Sequence, residues 1–408
     1  MSALEPTAVL EIGTANIRLL VGEMREDGVI NVLAMDEVRS HGLRKGEITD
    51  RDKVVSAVRH AIKAVEDRLR RSIHAVHLVT AGGEAAAERS MGRHRLVDPL
   101  DNRPGEVTPA AVEEAVENAR RVALPPHRIR LHSLHRCFHL DDLRNITDPV
   151  GLAGEELRAE VLTIHGKRST VENLRKIIED VPVECIDAAF SALCSALAVL
   201  SEEQKKAGAL VIDIGAGTTD MIVFYDGVVQ TAASFAVGGD HVTNDIMVGL
   251  GVSPTQAERL KINDGSALTN AMERDRIIAV PYEQGFSGKT VRSVTLNTII
   301  NLRMEEIFNL VRERMERECP QVPLGAGVLL TGGGSMLSGA RDLGQKVFNV
   351  PCTRGKLFDV QGVPPQAVPR YAPHIGCLRY VASLRDEEPP PEPWFRRLFR
   401  FLTPWRNP

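Results

Sequence analysis

Alternating and continuous apolar runs divide the chain into short strand-like stretches and longer helical ones. Residues 8–12, 17–24 and 29–38 read as three strands joined by a Gly13-Thr14 turn and an Asp27-Gly28 hairpin. Val54, Val55, Val58, Ile62, Val65 and Leu69 follow at three-to-four spacing, which predicts an amphipathic helix. The apolar strand after it ends in Ala81-Gly82-Gly83. The same order returns later in the chain. Residues 209–214, the turn Gly215-Ala216-Gly217-Thr218, residues 221–225, Asp226-Gly227 and residues 228–231 form a second three-strand unit. A helix starting near Asp240 follows and, after other material, a strand over 328–330 ending in Thr331-Gly332-Gly333-Gly334. The pattern predicts a duplicated α/β domain whose halves face each other across a cleft.

Three regions fall outside the duplicate. Over 86–162, a helix capped by Thr108-Pro109 carries Val112, Val116, Ala119 and Val122 on one face, between strand-like runs at 130–135 and 157–164, which predicts a small α+β insert. Residues 386–393 are an acidic, proline-rich linker. In the tail over 394–405, Trp394, Phe395, Leu398, Phe399, Phe401 and Leu402 fall within roughly 160° of a helical wheel. Arg396, Arg397 and Arg400 fill the other side, and Trp405 is the second of the chain's two tryptophans. Aromatic residues below and arginine above are the composition of a helix lying in a membrane interface, and residues 394–408 hold no acid, so anionic lipid is the natural partner. One such anchor binds reversibly, and stable residence would need several held together in a filament.

Composition narrows the classes. The 408 residues carry a net charge of −4, with 25% charged and 43% hydrophobic residues, which suits a multidomain body with no overall bias toward nucleic acid. The six cysteines lack C-x-x-C spacing, no signal sequence opens the chain, and no run of about 18 uncharged apolar residues could span a bilayer, so a cytoplasmic protein is expected. His132, His135 and His139 are read as ordinary histidines. In a regular strand His135 and His139 share a face opposite His132, and no cysteine or carboxylate set completes a metal site.

The chemistry lies in the turns. Gly215 and Gly217 let backbone N–H groups approach phosphate oxygens, Thr218 and Thr219 add hydroxyls, and Asp213, itself an anion, suits holding Mg²⁺ through water or orienting a water. Glu11, Gly13 and Thr14 offer the same set from the other wall, and Asn16 is expected to bind nucleotide beside them.

These motifs resemble the actin, heat-shock chaperone and sugar kinase superfamily. Residues 11–14 look like its first phosphate motif, 213–220 like the second and 330–337 like its adenosine motif, while 190–200 and 369–380 resemble its two connecting helices. The resemblance implies ATP with Mg²⁺. Gly332, Gly333, Gly334 and Met336 would lie by the adenine and ribose, Glu258 and Lys261 would reach ribose or base, and Gly239 would stand near the phosphates.

Within that superfamily the chain resembles the FtsA family over nearly its whole length. The carriers are Ser40-His41-Gly42-Leu43-Arg44-Lys45-Gly46, Pro149-Val150-Gly151-Leu152-Ala153-Gly154, the segment 238–246, and the early position of the insert. Glu11 stands where actin has aspartate, which cautions against fast hydrolysis; at most a slow ATPase is expected, with nucleotide setting conformation and assembly.

The implied organisation is subdomain 1A over 1–85, the insert (1C) over 86–162, a return to 1A over 163–200, subdomains 2A/2B over 201–365, a connecting helix over 366–385, the linker and the membrane-targeting helix. The implied role is a polymerising tether at the cytoplasmic face of the plasma membrane at the division site. It would recruit the division tubulin FtsZ, with Arg303 a possible contact, and join other divisome proteins. A PilM-like pilus scaffold and a small-molecule kinase are the alternatives.

Overall fold

The computed structural model describes residues 6–97, 103–269 and 275–385. Strands β1 (Thr7–Ile12), β2 (Asn16–Met24) and β3 (Ile30–Arg39) form an antiparallel meander, with Leu10 opposite Leu19. Helix α1 (Arg51–Leu69) starts where the Asp50 side chain accepts from the Lys53 N–H. It buries the predicted stripe of Val54, Val58, Ile62 and Val65 and stops at Arg70, which is left-handed. The chain then returns as β4 (Ala75–Thr80), parallel to β1.

The insert follows at once. It comprises β5 (Ala86–Arg95), α2 (Pro109–Arg120), β6 (Arg128–Leu140), β7 (Leu143–Ile146) and β8 (Glu156–Lys167). Helix α2 lies so close on β5 that a Cβ at Gly92 would sit 2.0 Å from the Ala115 carbonyl oxygen. The insert has its own core, with Val112, Val116, Phe138, Leu157 and Val161. Strand β8 passes from that core into the core of the first half, which takes Leu162 and Ile164, so it runs unbroken through residue 162. Helix α3 (Arg168–Glu179) and β9 (Glu184–Phe190) complete the first half, and α4 (Ser191–Val199) leads out of it.

The second half repeats the plan. It contains β10 (Ala209–Ile214), β11 (Thr219–Tyr225), β12 (Val228–Phe235), α5 (Gly239–Leu250), α6 (Pro254–Asn263) and α7 (Ser293–Glu318). Then come β13 (Gly327–Thr331), α8 (Ala340–Phe348), β14 (Cys352–Arg354), β15 (Val360–Gln361) and α9 (Val368–Arg385). The sheets run β9-β4-β1-β2-β3-β15 and β7-β6-β8-β5-β12-β11-β10-β13-β14. Within them, β3-β2-β1-β4-β9 and β12-β11-β10-β13-β14 have the same order and the same directions, which is the duplication in structural form. The insert's strands leave the first half and extend the sheet of the second, through Ala86 paired with Ala233.

Two large apolar cores result: one lies within the second half, and the other fills the first half and continues onto the facing side of the second sheet through Val211, Ile222 and Phe224. Helices α4 and α9 cross within the larger of these cores, and a Cβ at Gly376 would fall 1.6 Å from the Cys194 carbonyl oxygen, so their closest point is backbone on backbone. The amphipathic tail lies outside the described residues. Among the described residues no helix is long and apolar enough to cross a membrane.

Candidate nucleotide site

The two predicted turns have one construction. The Gly13 N–H donates to the Asn16 carbonyl at 3.1 Å, and the Gly215 N–H donates to the Thr218 carbonyl at 2.8 Å. In both, the leading acid sits one residue before the strand's end, Glu11 paired with Arg18 and Asp213 with Asp220. The turns also touch: a Cβ at Gly217 would lie 2.4 Å from Thr14 Oγ1 and 2.9 Å from Lys45 Cα. Beside that contact is a cavity of about 270 Å³ lined by Glu11, Gly13, Thr14, Asp213, Gly215 and Thr218.

The same cavity takes residues that the sequence reading did not assign. Lys45 and Gly46 reach it on the loop after β3, where Lys45 is left-handed and the Gly46 N–H donates to Thr14 Oγ1 at 3.0 Å. Lys167 lines it while paired to Glu47 at 2.7 Å, whereas Lys45 makes no ion pair among the described residues. Both Lys45 and Gly46 belong to the segment 40–46 that carries the FtsA resemblance.

The acids differ in setting. Glu11 accepts from Arg18 at 3.0 Å, and Arg18 also bonds Glu37, which pairs with Arg370 at 3.1 Å. Asp213 is buried and accepts from Ser195 Oγ of α4 at 2.5 Å. Burial pushes its carboxyl up to about 7. The Ser195 hydrogen bond opposes this, and the charges of Asp220 and Glu11 add to it. Asp220, bonded by Ser191 of the same helix, is pushed by burial to about 6. Two serines of one connecting helix thus hold both buried acids of the second turn.

The remaining predicted residues gather on the far side of that turn. The Gly239 N–H donates to the Gly215 carbonyl at 2.9 Å. Lys261 Nζ reaches the Gly239 carbonyl at 3.0 Å and Glu258 at 2.7 Å, so α5 and α6 bring Gly239, Glu258 and Lys261 together. Gly332 is left-handed, and its Cβ would strike Asp213 Oδ1 at 2.4 Å; a Cβ at Gly334 would strike Ile214 at 2.4 Å. Gly333 has an ordinary φ and open space around it, and Met336 is 42% exposed. None of these seven lines the 270 Å³ cavity. Thr219 also departs from its expected place. It is fully buried and donates to the Val237 carbonyl at 2.8 Å, so its hydroxyl secures the turn instead of facing the cavity.

Elsewhere, Arg303 is held by Asp245 at 2.6 and 3.2 Å and by Glu306, so it is not a freely solvated side chain. His132 accepts from the Phe190 N–H at 2.9 Å, and burial takes its pKa down to about 3, a structural histidine linking β6 to β9.

Comparison with known proteins tests the resemblance. The chain is 32% identical over 387 residues to "Cell division protein FtsA" of Neisseria meningitidis serogroup B, covering 94% of this chain and 92% of the relative. The chain belongs to the FtsA family. The FtsA of Escherichia coli K12 is 30% identical, covering 91% of this chain and 89% of that one. A family model described as "Cell division protein FtsA" matches residues 210–376, and one described as "SHS2 domain inserted in FTSA" matches 89–165, the region of the insert. Among solved structures, the "PilM-PilN type IV pilus biogenesis complex" has a TM-score of 0.62 at 16% identity, covering 94% of this chain and 99% of that one. MreB5 of Spiroplasma citri bound to ADP has a TM-score of 0.54 at 16% identity, covering 93% and 97%. These two establish an actin-like fold; the relatives at about 30% identity carry the assignment to FtsA in preference to a pilus scaffold.

Proposed function

We propose that this actin-like cell-division protein binds ATP with Mg²⁺ between its halves, polymerises, and tethers FtsZ to anionic lipid at the cytoplasmic face of the plasma membrane. The observation that carries the nucleotide reading is the pair of matched glycine turns meeting at one cavity. An unpaired Lys45 is available there for phosphate, and Glu11 and Asp213 for a hydrated Mg²⁺. Gly239 and Gly333 support it, because neither a positive φ nor a close neighbour requires glycine at either place. A nucleotide passing along the second turn supplies that requirement. When bound, ATP and Mg²⁺ supply the charge and the binding energy; the protein's residues cradle phosphate, hold the cation's waters and close the turns.

The membrane role rests on the arginine and aromatic periodicity of residues 394–405, and the FtsZ role on family membership. Co-sedimentation with anionic liposomes, with and without Mg-ATP, tests both ends of the chain. The full-length protein should pellet, more so with Mg-ATP; a chain ending at Leu384 should stay in solution; and Asp213→Asn should lose the nucleotide-dependent increment alone. Equal pelleting of the shortened chain sinks the tether, and an unchanged nucleotide response in Asp213→Asn sinks the site.

A further inference from the structure

Strand β6 does not keep its alternation. Val161 pairs with His135 and Glu160 with Cys137, so Arg136 is an extra residue, a β-bulge. The bulge turns His135 onto Phe138, with ring centroids 4.2 Å apart, and away from Cys137 and His139, which as alternate residues share the opposite face, beside Glu160 of β8. Regular alternation would group His135, Cys137 and His139 on one face, with no carboxylate to complete them. The bulge removes His135 from that set and the neighbouring strand adds Glu160.

The three donor atoms form a nearly equilateral triangle. Cys137 Sγ is 3.6 Å from His139 Nε2 and 3.7 Å from Glu160 Oε2, and the last two atoms are 3.7 Å apart. Zinc bonds of about 2.3 Å to sulfur, 2.1 Å to nitrogen and 2.0 Å to oxygen, at tetrahedral angles, set those separations at about 3.6, 3.5 and 3.4 Å. Movements of a few tenths of an ångström therefore seat an ion.

A fourth donor stands near. Asn145 Oδ1 on β7 is 3.7 Å from the sulfur. The carboxylate is pre-aimed, because Arg136 binds Glu160 Oε1 and Arg89 lies 3.8 Å from the same oxygen, leaving Oε2 turned to the cysteine and imidazole. His139 and Glu160 are only 12% and 15% exposed, which shields the donors from bulk water while leaving a path in. Ligation through His139 Nε2 places the ring proton on Nδ1, which gives up only a long 3.4 Å contact from the Asn145 N–H.

We propose that Cys137, His139 and Glu160 bind one divalent transition-metal ion of the zinc class, with Asn145 or water in the fourth position. A sulfur, nitrogen and oxygen donor set disfavours Mg²⁺ and Ca²⁺, so this site is separate in chemistry as well as place from the Mg²⁺ expected at the turns. The ion would staple β7, β6 and β8. Arg136 also bonds Gln230 of β12, so the site adjoins the contact between the insert and the second half.

The test uses the full-length protein, stripped by chelator and held without thiol reductant, titrated with Co²⁺. The expected result is one equivalent of Co²⁺ giving a thiolate-to-cobalt charge-transfer band in the near ultraviolet, bleached by one equivalent of Zn²⁺. Cys137→Ser should remove the band, and His139→Ala and Glu160→Gln should each weaken binding at least about tenfold. Cys185→Ser, at the other half-exposed thiol, should leave band and affinity unchanged. Circular dichroism establishes that each variant is folded. The absence of a band in the folded wild type, or a band that survives Cys137→Ser, would show that the cluster is only a hydrogen-bonded thiol and would overturn the site.

Discussion

In the first half the acid at the end of the leading strand, Glu11, is clamped by Arg18 in a chain of ion pairs through Glu37 to Arg370. In the second half Asp213 is sealed beneath α4, with a serine hydroxyl as its partner. The backbones of the two turns match, so duplication preserved the cradle while the acids diverged. One wall keeps a fixed charge held by a cation. The other keeps a carboxyl that burial makes reluctant to ionise, against which the Ser195 hydrogen bond and the charge of Arg18 work only in part.

The largest perturbation of that comparison is a wedge between the walls. Gly217→Val drives a side chain into Thr14 and Lys45, and should cost about 3 kcal/mol and abolish the thermal shift given by Mg-ATP. Denaturant melts with and without nucleotide check both; a variant as stable and responsive as wild type means the turns do not meet in solution.

The acids themselves come next, and their signs should differ. Glu11→Gln leaves Arg18 short of a partner and should destabilise by about 2 kcal/mol at neutral pH. Asp213→Asn should do the reverse. Because the folded-state pKa is raised above the ordinary carboxylate range to about 7, the folded protein binds the proton more tightly than the unfolded chain does. The resulting stability is fully present below that range and drains away as pH rises toward 7. At pH 8 the asparagine variant should therefore be more stable than wild type by about 2 kcal/mol, with the gain vanishing by pH 4. Melts across this range decide it, and a gain equal at all pH values refutes the titration of Asp213.

The smallest effect separates two adjacent glycines. Gly333→Ala should change apo stability by less than about 0.5 kcal/mol while weakening nucleotide binding. Gly332→Ala, at positive φ and against Asp213, should cost about 2 kcal/mol even without ligand. Isothermal titration beside thermal melts distinguishes them; equal loss of stability in both removes the argument that ligand, and not packing, requires Gly333.

Local signals carried most of the fold. The hairpins at Gly28 and at Asp226-Gly227, the α1 stripe and both glycine turns are written in consecutive residues, and the structure has them where those residues stand. Less legible were the features made by distant segments meeting. Asp213 and Asp220 are buried with Ser195 and Ser191 as their partners, on a helix whose small and apolar sequence does not tell which acids its two serines will meet. Thr219 resembled Thr218 in the motif, yet the alternation of β11 turns it inward to Val237. The Arg136 bulge has no signature among its neighbours, and it moved His135 off the face that Cys137 and His139 share.

The crossing of α4 and α9 at Gly376 has a mechanical meaning. Around that point side chains add to the backbone contact, because Arg379 donates to the Leu197 and Ala198 carbonyls at 2.8 and 3.4 Å, so the pair is fixed in angle as well as in distance. It works as a rivet. Ser191 and Ser195 thus mount the second turn on a helix that α9 pins in place, so a shift of either helix reaches Asp213 and Asp220.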